Sequence, residues 1–498
     1  MRNSIQKLAG QTAIYGLGTI LPRLLNFAIL TPFYTRVLGE GSYGTVTEIY
    51  AYVVVVLVIV TFGMETGFFR FASGQQDIKK VYSHAFGVVF VLAILWLTVI
   101  RVFLTPLADA LRYSEHPEYI NWFAWIIALD AIASIPFAKM RQENRPRRFA
   151  TLKLSMVVLN IAVVMILLWI FPMVQKANPA LLPTWLYNPE IGVGYVFITN
   201  LITSILMFLL LIPELRDLRW GFDRQLMVRM LKFSAPLVIV GLAGAVNDVA
   251  DKIMLKFVTL DPELALSTVG IYGGNYRMAV IMTIYIQMFR YAFEPFLFSI
   301  AGDRDAKATY ARVMKYFVIL GLLIFLGVMF YMDGIKYFLP EKYHKANGIV
   351  PIILLANLLL GIYYSLSVWY KVTDKTRYAM AIAGTGALFT LVFNLLLIPV
   401  WGYWASAWAT LGCYLIMVII SYLWGRKVYP VPYETTRIAG WILLAIALFG
   451  LSEWVSPDAL ALRLMFNTFL LILFIVVVGL REKELVRIVL IRTGIMRR

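Results

Sequence analysis

Apolar residues run through this chain in long, nearly unbroken blocks, and polar residues gather in the short gaps between them. Each block holds about 20 residues, enough for an α-helix to cross the roughly 30 Å hydrocarbon core of a bilayer. Fourteen such spans are read, at 10–34, 45–68, 81–104, 119–138, 152–172, 191–212, 233–257, 267–297, 313–332, 347–370, 378–399, 402–424, 437–454 and 462–480. Apolar and polar positions do not alternate within a span, as a membrane β-strand requires, so the pattern predicts an all-α integral membrane protein of about fourteen transmembrane helices. The stretch VNDVADKIML (246–255) breaks the pattern by carrying Asp248, Asp251 and Lys252 inside an otherwise apolar span.

Composition agrees with the pattern: 61% of residues are hydrophobic, 15% are charged and the mean hydropathy is +0.78, which excludes an ordinary soluble chain. Of the 45 Lys and Arg residues, 32 fall at one set of alternate span ends and in the termini, 8 at the other set and 5 within spans. Because basic residues favour the cytoplasm, both termini are expected there, in a bacterial inner membrane. The run RQENRPRRFA (141–150) lies between two spans, so it reads as a topology signal rather than a nucleic-acid patch, and contact with lipid headgroups is expected. Cys413 is the only cysteine, and His84, His116 and His344 lack ligand spacing, so no metal site and no cofactor are predicted. The first span carries Pro22 and Arg23 and lacks a small-residue cleavage site, so it is not read as a cleavable signal.

The chain repeats itself. Tyr43-Gly44 and Tyr272-Gly273 are 229 residues apart, as are Arg148-Phe149-Ala150 and Arg377-Tyr378-Ala379, and Asn160 and Asn394 are 234 apart. The repeat divides the chain into a lobe at 1–215 with spans 1–6, a lobe at 216–424 with spans 7–12, and a pair of further spans in 425–498. Six spans per lobe place the halves in parallel about an axis along the membrane normal, where a cavity is expected.

The segments TPFYTRVLGEGSYG (31–44), GMETGFFRFA (63–72), VGIYGGNYR (269–277) and NLLLIPVWGYWASAWAT (394–410) resemble the bacterial polysaccharide transporters, of the superfamily that also holds the MATE exporters and the lipid II flippase. The resemblance implies a flippase, not an enzyme. Its substrate would be an undecaprenyl-pyrophosphate-linked glycan moved from the cytoplasmic to the outer leaflet by alternating access, driven by a coupling ion, Na⁺ or H⁺. Its partners would be membrane lipids and polysaccharide polymerase or ligase machinery, without nucleic acid. A cation-coupled multidrug exporter and a membrane-embedded polymerase or ligase are the alternatives. The first would favour an acidic cavity and the second a large outer loop.

Charges inside spans avoid lipid and face protein or water. Arg23 and Asn26 share one helical face near mid-depth of span 1, where a cation could neutralise a passing phosphate or else pair with an acid such as Asp130. Asn275 and Arg277 in span 8 and Glu48 in span 2 are expected to line the cavity, and Glu65 to cap the nearby Arg70. Asp248 faces both Asp251 and Lys252 on a helix, so the cluster, with Asp130, is a candidate ion-coupling site or a structural ion pair.

Overall fold

A computed structural model describes residues 16, 18–72, 77–219, 221–373, 375 and 377–483. The described chain is helical throughout its regular structure. In order the helices are α1 (18–37), α2 (Gly39–Ala72), α3 (Ile78–Val102), α4 (Leu104–Ala110), α5 (Pro117–Gln142), α6 (Pro146–Ala177), α7 (Gly194–Leu215), α8 (Arg224–Val258) and α9 (Pro262–Met278). They continue with α10 (Val280–Ser299), α11 (Ala306–Phe330), α12 (Glu341–Val372), α13 (Arg377–Trp401), α14 (Tyr403–Val428), α15 (Thr435–Val455) and α16 (Leu460–Arg481). Twelve of these are long and apolar enough to cross a membrane. Span 1 corresponds to α1, and most of its residues before 18 lie outside the described residues, as do those of the two chain termini. Span 8 is not one helix but two, because Ala279 leaves the helical region and its N–H bonds to Tyr276 three residues back. No proline or glycine marks that break, so the sequence did not announce it.

Other irregularities have visible causes. The turns Asn26–Leu30 in α1 and Ile166–Ile170 in α6 are π-helical, and each precedes a proline, Pro32 and Pro172. Proline lacks the N–H that would continue the i→i−4 ladder, and a wider turn before it absorbs the misfit. α2 bends where Phe62 and Gly63 both take positive φ.

The chain packs as two compact units, Met1–Gly274 with Ala387–Ser406 and Asn275–Gly386 with Ala407–Arg498. In the first, α5 is the most enclosed helix, and its alanines Ala128, Ala131 and Ala138 allow α2 and α3 to close on it around Met64, Phe68 and Tyr82, a cluster to which α8 adds Met230. At one end of α5 the basic loop is clamped by ion pairs: Arg145 and Arg148 reach Glu214 at 2.9 and 3.1 Å. Lys139 bonds both Glu214 and Asp217, and Lys139 and Lys79 lower the Asp217 carboxyl pKa to about 2. Glu65 does not cap Arg70 as expected; it pairs with Arg141, on the neighbouring helix.

The repeated Tyr-Gly pairs meet at one crossing, between α2 and α9. A Cβ on Gly44 would stand 1.8 Å from the Leu266 carbonyl oxygen, one on Gly270 2.0 Å from that of Glu40, and one on Gly273 2.7 Å from Thr47. Small residues are what lets two membrane helices approach backbone to backbone. Gly44→Ala is therefore expected to destabilise the protein by about 1–3 kcal/mol or more in detergent unfolding, the range for overpacking. Gly41, on the same helix with nothing near its would-be Cβ, is the control. Gly41→Ala should stabilise by about 0.4–1 kcal/mol. Equal behaviour of the two variants would refute the crossing.

In the second unit α11 and α12 are the enclosed helices, and they interlock through Gly321 under Leu358 and Gly361 under Phe317. The last helix pair, α15 and α16, is tied to α11 at both ends. Lys315 bonds Glu434 at 2.8 Å and Glu482 at 2.9 Å at one end. At the other, Asn467 donates to the Phe330 carbonyl at 2.9 Å while accepting from Ser452 at 2.6 Å, and Arg463 pairs with Asp333 at 3.1 Å.

Candidate functional site

A cavity of about 300 Å³ opens inside the first unit among α1, α6 and α7. α1 approaches α6 closely because Gly18 meets Ala150, where a Cβ would leave only 2.9 Å. From α1 come Arg23 and Asn26, from α6 Lys153 and Asn160, and from α7 Asn200 and Thr203. Asn26 opens the π-helical turn, and its side-chain oxygen is buried with no hydrogen-bond partner among the described residues. Asn160 donates to the Asn200 oxygen at 3.3 Å, and Asn200 donates to the Val196 carbonyl at 2.8 Å.

The charges decide what such a cavity can hold. Asp130 accepts from Ser204 at 2.9 Å and, with Glu65, acts on Lys153 as an opposite charge without an ion-pair contact, whereas Arg141 and Arg23 act on it as like charges. The Lys153 ammonium also lies 4.1 Å from the centre of the Phe137 ring. Asp130 therefore answers Lys153 rather than Arg23. Arg23 is exposed and has no ion-pair partner among the described residues, so the cavity keeps a net positive charge surrounded by amides. That is an environment for oxygens of an anion, and the guanidinium fork suits two phosphate oxygens at once. Lys153 was missed in the sequence because it stands near a span end and counted there as a topology charge. Its spacing carried the signal: it precedes Asn160 by two helical turns, on the same face.

The remaining sequence candidates are placed differently. Glu48, expected to line a cavity, is fully buried; it pairs with Lys256 at 2.9 Å and accepts hydrogen bonds from Tyr52 and Tyr113. Lys256 completes its shell by donating to the Leu111 carbonyl at 2.7 Å and lying 3.6 Å from the centre of the Tyr113 ring. The three charges of VNDVADKIML do not join as the helical spacing suggested. Lys252 bonds the carboxylate of its neighbour Asp251 at 3.0 Å and only the main-chain oxygen of Asp248 at 2.9 Å. Tyr272, buried at the α2 and α9 crossing, donates to Asp251 at 2.6 Å, while Asp248 is exposed. The ion pair lies within α8, and the Tyr272 hydrogen bond to Asp251 ties that helix to α9. In the second unit Asn275 is buried and donates to the Tyr343 carbonyl at 2.9 Å, and Arg277 is exposed in the last turn of α9.

The histidines are held by local partners. His84 Nε2 accepts from the Asp223 N–H at 2.8 Å, His116 meets Glu118 at 2.9 Å, and His344 bonds the Lys336 carbonyl at 2.8 Å. Among the described residues no group of three or more His, Cys, Asp or Glu side chains is placed to hold a metal.

Comparison with known proteins identifies a family and a fold. The family described as polysaccharide biosynthesis protein matches residues 8–301. No curated protein matches the sequence. Among solved structures, the fold is similar to the lipid II flippase MurJ in an inward closed conformation, with TM-score 0.71 and 15% identity over 95% of this chain and 100% of that one. It is also similar to an inward-facing multidrug resistance MATE family transporter of the MOP superfamily, with TM-score 0.65 and 12% identity over 86% of this chain and 98% of the other.

Proposed function

Because this chain belongs to the polysaccharide biosynthesis protein family, we propose that it is a flippase carrying an undecaprenyl-pyrophosphate-linked oligosaccharide from the cytoplasmic to the outer leaflet for cell-surface polysaccharide assembly. The observation that carries the proposal is the net-cationic, amide-lined cavity with Arg23 at its edge. A pyrophosphate group brings the negative charge that Arg23 lacks in the protein, and the amides of Asn26, Asn160 and Asn200 supply donors for the remaining oxygens. In this reading the negative charge of Asp130 offsets part of that of Lys153, so the site does not trap its ligand with two fully uncompensated cations. Alternating exposure would come from rocking of the two sequence lobes, 1–215 against 216–424. Export of a cationic drug is the competing function, and the sign of the cavity weighs against it.

The test is transport. The purified protein in liposomes is expected to move an undecaprenyl-pyrophosphate glycan and not a cationic dye, with imposed Na⁺, proton and electrical gradients identifying the coupling. Movement of the dye alone would replace this reading with the exporter.

The orientation is tested separately. Cysteines placed singly at residues 5, 145 and 495 in a Cys413→Ser background should resist an impermeant thiol reagent in intact cells and label after the membrane is opened. Cys413 is buried, so its replacement alters little on the surface. Labelling of all three from outside would invert the topology.

A further inference from the structure

The first unit holds a second cavity of about 270 Å³ that shares no residue with the site above. α5 contributes Ile120, Phe123 and Ile127, α2 one face with Ile49, Val53 and Val56, α3 Trp96 and Ile100, and the short helix α4 Leu107. Its few polar atoms are all turned away to protein partners. The Tyr52 and Tyr113 hydroxyls donate to Glu48, and the Trp96 ring N–H donates to the Ala124 carbonyl at 3.2 Å.

A cavity without polar partners does not hold ordered water, and one of about 150 Å³ in another protein is already large enough to admit benzene. This one is nearly twice that size and belongs to a chain surrounded by hydrocarbon. On both walls the lining merges with exposed apolar surface: Val54 lies beside Val53, and Leu95 and Val99 flank Trp96 and Ile100. The next residue after Ile100 is Arg101, exposed in the last turn of α3 and without an ion-pair partner among the described residues. A guanidinium in the last turn of an apolar span that lines the cavity stands at the depth where a bilayer places lipid phosphates.

We propose that this cavity is a binding site for a membrane glycerophospholipid, with one acyl chain between α2, α3 and α5 and the phosphate on Arg101. In the orientation set by the basic residues the lipid belongs to the outer leaflet. The site is independent of the transported substrate, because neither the Arg23 cavity nor its charges take part.

The test uses the full chain in detergent, stripped of lipid and then given phosphatidylglycerol with oleoyl chains. Wild type is expected to retain about one phospholipid per chain after mild delipidation, seen by native mass spectrometry, and to gain thermal stability when the lipid returns. Val53→Phe fills the cavity from α2 and should abolish both effects while remaining monodisperse. Leu107→Phe fills it from α4 and serves if the first variant misfolds. Arg101→Ala leaves the cavity intact and should weaken lipid binding about tenfold, the size of one lost charge-assisted contact. Undiminished lipid retention in the filled variants overturns the proposal. So does stabilisation by undecaprenyl phosphate but not by phosphatidylglycerol, since the occupant would then be a polyprenyl tail. Unchanged lipid affinity in Arg101→Ala overturns the phosphate contact, whatever the folding of the filled variants.

Discussion

Arg23→Ala is expected to lower glycan-lipid translocation about 10- to 100-fold while leaving the unfolding temperature of the purified protein unchanged. The size follows from the bond removed: a hydrogen bond to a charged group contributes about 1.5–3 kcal/mol, and each 1.4 kcal/mol is a factor of ten. The unchanged stability follows from the surroundings. Arg23 is exposed to the cavity and answers no acid among the described residues, so its removal strands no buried charge. Lys153 is the contrast, because its ammonium packs on the Phe137 ring at 4.1 Å and carries the charge opposite to Asp130. Lys153→Ala should therefore lower stability together with transport. Arg23→Lys should recover part of the activity, since an ammonium restores the charge but not the two-point fork. Transport and thermal unfolding measured on the same preparations separate these outcomes. Wild-type translocation by Arg23→Ala would remove the residue from the site, and with it the main support for an anionic head group.

Much of this arrangement could be read from the chain because a bilayer imposes simple rules on sequence. Long apolar blocks located twelve of the helices, whereas the Tyr-Gly pairs read only as marks of a repeat and gave no sign of the crossing where Gly44, Gly270 and Gly273 bring α2 and α9 together. Arg23 and Asn26 stand out in the sequence because a polar pair on one face of an apolar helix is costly in lipid and must turn toward protein or water. What stayed hidden is three-dimensional. Lys153 and Lys256 stand near span ends, where a basic residue is ordinary, and nothing local says that one lines the cavity and the other pairs with Glu48. Asp251 took its adjacent lysine and a tyrosine from the next helix, a choice that the i, i+3 and i, i+4 rule does not rank. The break at Ala279 carries no helix-breaking residue at all.

Removing the charge from Lys256 should be among the most damaging single changes to stability in this chain. Glu48 has no exposure to solvent, so Lys256→Met would leave a carboxylate with only the Tyr52 and Tyr113 hydroxyls to receive it, and α8 would lose its bond to the Leu111 carbonyl. Breaking one side of a buried ion pair costs about 3–5 kcal/mol, whereas replacing both members by neutral residues of similar size is often nearly neutral. Glu48→Gln combined with Lys256→Met should therefore recover most of the loss, since the glutamine amide oxygen still accepts from a tyrosine. The double-mutant cycle, read by denaturation in detergent, is expected to give a large favourable coupling between the two substitutions. Additive losses would mean that each side chain is held by its other neighbours and not by the pair. A recovered fold also separates structure from transport. If the double variant is stable and still flips, the pair joins α2 to α8 without handling substrate; if it is stable and inactive, the charges themselves take part in the cycle. The first result is the expected one, because a carboxylate closed off by a lysine and two tyrosines offers a passing pyrophosphate no free face.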